Sequence, residues 1–470
     1  MDVPGCPGCR ERDARIAELE RRVAELEAVI RDLTGRLGIN SSNSSVPPSA
    51  NPLAAPKPVV KKATGRKPGG QPGHPPHLKQ LLPPERVKEV IRFIPTHCRK
   101  CQAALPAEPG PGDPPPTRHQ VAELPPIQAE ITEYQGHART CPCCGEVTQA
   151  PIPAAVRAHG CGPRLTATLA YFTGRHYLPK RAAEEVSEDV FGVPIALGTI
   201  AALEGEVATA LAPAHAEALT VVKEAAVKNV DETSWKEAGQ RRWLWVAATT
   251  TVAAFVIEGT RGLLGLVTLL SNTIHGILCS DRWSVYACWP LFLRQICWAH
   301  LKRDFQKCLD RGGAAAVVGA EGLKTVGKVF KAWHLFRGGG LSRRQLQDRL
   351  SPVARHLREV LDAGKDCADT KTANFCSNLV DLEPALWRFV VTDGVEPTNN
   401  HAERVLRRGV LWRKISFGCR SAAGCRFVER MLTVTQTLRL QNRNILHFLV
   451  ETVHNHRAGL PIPSLMPVKG

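Results

Sequence analysis

Apolar residues recur in steps of three and four near the start of the chain, at Ile16, Leu19, Val23, Leu26, Ile30, Leu33 and Leu37. Arg and Glu fill the positions between them. That is an a/d seam with charged edges, and it predicts a short coiled coil. Ile and Val at a with Leu at d favour a homodimer, with a higher oligomer as the other outcome. An amphipathic helix packed on its own protein is the alternative reading. From Ile39 to Pro84 the periodicity stops and no Asp or Glu occurs, whereas Lys57, Lys61, Lys62, Arg66, Lys67 and Lys79 do. An acid-free, Pro- and Gly-rich arm cannot build a core. It fits tracking along phosphates or a solvated spacer. Helical periodicity returns over 163–217. There Lys180–Val190 and Gly198–Leu211 flank Phe191-Gly-Val-Pro194 as a helix-turn-helix or a plain helical spacer.

From Thr220 the pattern turns to strands. Ala225–Val230, Arg241–Thr250 and Ala253–Glu258 read as three strands and Gly262–Leu270 as a helix. Ile277–Cys279 and Leu293–Trp298 read as strands four and five, and Leu301–Leu309 as the next helix. This is the element order of the ribonuclease-H-like fold. Asp231 then stands at the tip of strand one and Asp281 just after strand four. Residues 313–395 read as a helical insertion (Lys324–Phe336, Ser342–Ala363, Thr372–Val390). At Pro397 the core resumes. Thr398 or Asn399 is placed to cap a helix. Ala402, Leu406 and Val410 would form its buried stripe, with Glu403 and Arg407 on the adjacent face.

The expected architecture is therefore multidomain α/β. It comprises an N-terminal tail and coiled coil (1–38), a basic linker (39–88), a zinc-binding domain (89–150) and a helical domain (151–218). A ribonuclease-H-like catalytic core follows in two parts (219–312 and 396–445), split by the insertion (313–395) and closed by a C-terminal helix and tail (446–470).

Composition sharpens this picture. The 470 residues carry a net charge of +17, which points to a polyanionic partner. No apolar run is long enough to span a membrane, and Met1-Asp-Val-Pro lacks a secretory signature, so the expectation is cytoplasmic and nucleoid-associated, with no membrane partner. In that compartment the sixteen cysteines read as ligands or core thiols rather than a disulfide framework. Cys98-Arg-Lys-Cys101 and Cys141-Pro-Cys-Cys144 offer four thiolates, the ligand set of structural Zn2+. Cys6 and Cys9 form a weaker CxxC pair. Asp231, Asp281 and Glu403 offer hard oxygen ligands suited to Mg2+ or Mn2+. Arg404, Arg407, Arg408, Arg413 and Lys414 form a cationic stretch beside them that suits DNA, as Lys61, Lys62, Arg66 and Lys67 do in the arm.

Several of these stretches together resemble the insertion-sequence-66 transposase family. They are Ser42-Asn-Ser-Ser45 with Pro47-Pro-Ser49, Gly69-Gly-Gln-Pro-Gly-His74, the two knuckles, Asp231-Glu-Thr233, Cys297-Trp-Ala-His300, and Pro397-Thr-Asn-Asn400 through Ala402-Glu403-Arg404. The resemblance implies a DDE transposase with Asp231, Asp281 and Glu403 as its triad. Such an enzyme uses two Mg2+ or Mn2+ ions to cut the ends of a mobile element and transfer its strands into double-stranded DNA. It also suggests accessory proteins from the same element. Asp281 is followed by Arg-Trp-Ser-Val-Tyr286, where the family commonly has a Gly-Tyr pair. Cys297 and His300 are auxiliary candidates or a core pair. A catalytically inactive, zinc-containing DNA-binding regulator derived from a transposase is the rival reading, and metal-dependent nicking separates the two.

Overall fold

A computed structural model describes residues 15–16, 18–26 and 80–466. Cys6, Cys9, the basic arm with Lys61, Lys62, Arg66 and Lys67, and the later seam residues Ile30, Leu33 and Leu37 lie outside the described residues. Contacts divide the chain into residues 57–128 and, as a second unit, residues 1–56 with 129–470. The described part of the first unit, residues 80–128, is largely irregular, as its many prolines require. It holds one turn of 3-10 helix at Pro84–Arg86, a bridge between His97 and Ala104, and an Arg118 Nη2 donor 2.7 Å from Leu82 O.

In the second unit, residues 18–26 are helical, with Ile16, Leu19, Val23 and Leu26 all exposed. A hairpin of β1 (Ala138–Thr140) and β2 (Val147–Gln149) follows. After a single helical turn at Ala154–Arg157 come four longer helices: α1 (Pro163–Arg175), α2 (Lys180–Phe191), α3 (Leu197–Ala210) and α4 (Ala212–Glu224). Gly192 takes a left-handed φ of 66° at the end of α2, the conformation a tight helical turn needs and glycine tolerates. α3 buries Ile200, Leu203 and Val207. Its acids are engaged, Glu206 with Arg457 and Glu204 with Lys180.

The central sheet contains β3 (Val227–Glu237), β4 (Gln240–Ala248), β5 (Ala253–Glu258), β6 (Ile277–Ser280) and β7 (Arg294–Ile296). Their order across the sheet is β5-β4-β3-β6-β7. The first three are antiparallel, and β6 and β7 run parallel to β3. α5 (Leu263–Leu270) crosses between β5 and β6. The expectation that strand one ends at Asp231 is corrected here. β3 runs six residues further and turns only at Ala238-Gly239, because Thr233 to Glu237 keep pairing with β4. Asp231 therefore lies in the middle of a strand.

After β7 come α6 (Trp298–Asp310), α7 (Gly313–Arg337), α8 (Arg343–Gly364) and α9 (Thr370–Asp381). α7 starts at Gly313, eleven residues before its expected start at Lys324. α8 opens with a reciprocal capping box between Ser342 and Gln345. The expected helix Thr372–Val390 is broken. It stops at Asp381, and Pro384 in a 3-10 turn and a short helix at Arg388–Val391 follow. These helices share one apolar core with the sheet: Phe305, Val329, Trp333, Leu350 and Phe389 pack in the same cluster as Cys279 and Ile296.

The chain closes with α10 (Asn400–Ser416), α11 (Ala422–Leu440) and α12 (Ile445–Ala458). α10 buries Ala402, Val405, Leu406, Gly409 and Trp412. The stripe bends away from Val410 because Gly409 lets the helix approach β4; a Cβ there would stand 2.3 Å from a Leu244 methyl. α11 seals the free edge of β5. Ala253 N–H donates to Thr437 Oγ1 at 3.0 Å, Phe255 N–H to Thr433 Oγ1 at 3.0 Å, and Ile257 N–H to Glu429 Oε1 at 2.5 Å. The match is geometric. Four helical residues rise about 6.0 Å and two strand residues about 6.8 Å. No helix among the described residues is long and apolar enough to cross a membrane.

Burial pushes the Glu429 carboxyl up to about 7 from its ordinary 4.5. A folded value above the unfolded one means that its contribution is complete below the unfolded value and is lost as pH rises through the folded one. Glu429→Gln keeps an acceptor for Ile257 N–H and has no proton to lose. Between pH 5 and pH 8 the melting temperature of the native protein should fall relative to that of Glu429→Gln. Parallel pH profiles in calorimetry would count against this role of the edge contact.

Candidate active site

Parallel pairing fixes where two of the acids stand. β3 and β6 pair with a constant offset, from Val227 opposite Ile277 to Asn229 opposite Cys279. Continuing that offset by two residues sets Asp231 abreast of Asp281, the first residue after β6. Asp281 Oδ1 accepts the Trp283 N–H at 2.9 Å, which holds the loop against the strand end.

Glu403 arrives on the first turn of α10, where a helix favours negative charge. Asn399 starts this helix without capping it, contrary to expectation. Its side-chain Nδ2 donates instead to Val230 O at 2.7 Å, next to Asp231. Its backbone N–H reaches Cys297 Sγ at 3.1 Å, and Trp298 N–H donates to Pro397 O at 2.8 Å. α6 and α10 thus begin stitched together beside β3. His401 Nε2 lies 2.6 Å from Thr249 O and holds the same turn to the sheet.

The structure gathers the three predicted acids into one electrostatic neighbourhood. Burial raises the Asp231 carboxyl well above its ordinary value, and the charges of Glu232, Glu403 and Asp281 raise it further. Such mutual repulsion is what a bound cation relieves. His300 Nδ1 stands 3.6 Å from Glu403 Oε1, and both atoms are buried without a hydrogen-bond partner. Donor atoms of Cys297, His300 and Glu403 all lie within 4.8 Å of one another. Burial lowers the His300 pKa, with Arg303 adding to the effect, which favours the neutral ring that a metal requires. The Cys297 thiol is pushed up to about 12 by burial. The orphaned Glu403 oxygen and His300 nitrogen, with Cys297 Sγ near them, fit a divalent cation.

Glu232 is the residue that the sequence reading left without a role. Its side chain is almost fully buried. Tyr286 Oη donates to its Oε2 at 2.5 Å, and Arg261 Nε and Nη2 donate to its Oε1 at 2.8 and 2.6 Å. The Arg261 guanidinium lies 4.3 Å from the Trp283 ring and 5.1 Å from that of Trp243. Two successive acids on a strand were the available signal, since alternation sends one of them into the interior.

The cationic candidates divide. Arg404, Arg407 and Lys414 are exposed and Arg408 is half-buried. Arg413 turns inward: its Nη1 donates to Thr233 Oγ1 at 2.9 Å and to Ser234 Oγ at 2.5 Å, so its guanidinium braces β3.

Each knuckle has the same local shape, and the two belong to different units. Gln102 N–H donates to Cys98 O, and Gly145 N–H to Cys141 O. Gln102 and Gly145 both take positive φ, 62° and 77°. Hydrogen bonds from Cys101 and Lys100 lower the Cys98 pKa, and those from Cys144 and Cys143 lower that of Cys141. Both favour the thiolate, the form that binds metal.

Comparison with known proteins agrees with this construction. Residues 6–80 match a family of unknown function, DUF6444. A relative in Sinorhizobium fredii (strain NBRC 101917 / NGR234), the uncharacterized protein y4qI, is 28% identical over 178 residues, covering 36% of this chain and 33% of that protein. The match thus spans about a third of that relative's length. The model of the family described as Transposase IS66 covers residues 160–426, more than half of the chain, together with β3, β6, α10 and all three acids. The chain belongs to the IS66 family of transposases.

Proposed function

We propose that this chain cuts and joins DNA at the ends of an insertion sequence, with Asp231, Asp281 and Glu403 as a DDE triad on a ribonuclease-H-like core. The observation that carries the reading is the strand register that sets Asp231 abreast of Asp281, with Glu403 acting on the same half-buried Asp231 carboxyl. The sheet order and the parallel β3–β6 pair support it. The three carboxylates would hold Mg2+ or Mn2+, which when bound activates a water or 3′-hydroxyl and stabilises the leaving oxygen.

The protein's own groups do the rest. Asn399 fixes the start of α10 against Val230 and so sets the distance from Glu403 to Asp231. Glu232, clamped by Tyr286 and Arg261, locks the strand beside Asp231. Exposed Arg404 and Arg407 on α10, with Lys414, receive the phosphate backbone. Neutral His300 offers its Nδ1 lone pair beside Glu403. The Cys98–Cys101 and Cys141–Cys144 turns are proposed as structural Zn2+ ligands. The exposed Ile16, Leu19, Val23 and Leu26 seam is proposed to pair copies of the chain.

Asp231→Asn should abolish Mn2+-dependent cleavage of an element end while duplex binding persists; a variant that still cuts would falsify the triad. In a thermal melt, Mn2+ should stabilise the native protein and have a much smaller effect on Asp231→Asn. Asn399→Ala leaves Val230 O unpaired and should cost about 1–3 kcal/mol in denaturant unfolding, together with a loss of cleavage. Unchanged stability in that variant would remove the latch. Metal analysis of the purified protein should find zinc that Cys98→Ser or Cys141→Ser depletes, and equal zinc in both variants would exclude these ligands.

A further inference from the structure

Arg175 ends α1 almost fully buried, at 7% exposure, and its Nε has no hydrogen-bond partner. Some partly buried arginines in this unit are paired with carboxylates, Arg457 with Glu206, Arg261 with Glu232 and Arg282 with Asp304, and Arg413 with hydroxyls. Among the described residues no carboxylate pairs with Arg175. The charges that act on it most strongly are those of Arg408 and Arg439, which share its sign. Holding like charges near a buried guanidinium is costly unless an anion arrives.

Packing fixes the arrangement. Gly174 is pressed on α11, where a Cβ would meet Met431 Cε at 2.7 Å, so Arg175 lies beside the helix that carries Arg439. Tyr177 holds a left-handed φ of 61°, a strained backbone for a residue with a side chain. Its ring stands 5.4 Å from Trp412 on α10, one turn beyond Arg408, and the Arg408 charge acts on its hydroxyl. The charges of Arg175, Arg408 and Arg439, carried on three helices, all act on Tyr177.

We propose that Arg175, Arg408 and Arg439 form a binding site for one phosphate group of duplex DNA, built from α1, α10 and α11. Guanidinium groups suit the geometry of phosphate oxygens. The strained Tyr177 keeps Arg408 turned toward the site. The identification of the anion as DNA rests on the transposase reading; the cationic site itself does not.

The test uses the full-length protein and a fluorescent duplex, with anisotropy read across a salt series and no added Mg2+ or Mn2+. Arg175→Gln and Arg439→Gln should each weaken binding about ten-fold and reduce the slope of log affinity against log salt by about 0.9, the value for one phosphate contact. Arg175→Gln should melt no lower than the native protein. Native slopes in both variants overturn the proposal. If Arg175→Gln fails to fold, the exposed Arg439→Gln carries the same test. Stabilisation by inorganic phosphate that depends on Arg175, with native duplex slopes in both variants, assigns the site to free phosphate and overturns the DNA claim. A native protein that cuts no DNA yet shows the Arg175-dependent slope supports the site and removes the enzymatic reading alone.

Discussion

The parallel hydrogen bonding between β3 and β6 is the constraint on which the candidate site depends. A parallel pair requires a long crossover, here β4, β5 and α5, and its reward is two strands pointing the same way. Register alone then carries Asp231 and Asp281 to the same level. A slip of one residue would turn Asp231 to the opposite face and Glu232 into its place. The clamp of Tyr286 and Arg261 on Glu232 resists that slip, because it would have to release three hydrogen bonds to a buried carboxylate. Positioning and strand register are one problem here, solved by the same side chains.

The third acid comes from the far side of a long helical stretch, and three polar contacts bring it home. Asn399, Pro397 and Cys297 connect the first turns of α6 and α10 to each other and to β3. Since the helices from α7 to α9 share a core with β6 and β7, the stretch between Asp281 and Glu403 does not hang from flexible ends. It is packed against the strands whose tips it has to serve. The unpartnered atoms of His300 and Glu403 are the opposite case. There the fold leaves polar groups buried and unmatched, which structural needs alone would disfavour.

Much of this was legible in the residues. The strand order and the start of α10 near Pro397-Thr-Asn-Asn400 followed from periodicity and turn chemistry. What escaped was long-range. The extension of β3 past Asp231 depends on pairing with β4, and nothing local to Thr233–Glu237 announces it. Asn399 has a side chain suited to capping, yet its Nδ2 is tied to a carbonyl on a distant strand and its Oδ1 caps no amide. Val410 obeyed the i, i+4, i+8 rule, but Gly409 allowed so close an approach to Leu244 that the buried stripe rotated toward Trp412. Arg413 read as one more surface cation, and only the fold reveals Thr233 and Ser234 waiting for it. Arg175 gave no signal at all, since its meaning lies in the absence of an acid nearby.

The row of Thr437, Thr433 and Glu429 along β5 has a consequence for assembly. An open strand edge invites another polypeptide to add itself by main-chain pairing. Here a helix of the same chain consumes the free amide hydrogens of Ala253, Phe255 and Ile257. Strand exchange between neighbouring copies is closed off on that side of the sheet. Any second copy that meets this side of the sheet must do so through side chains rather than by main-chain pairing.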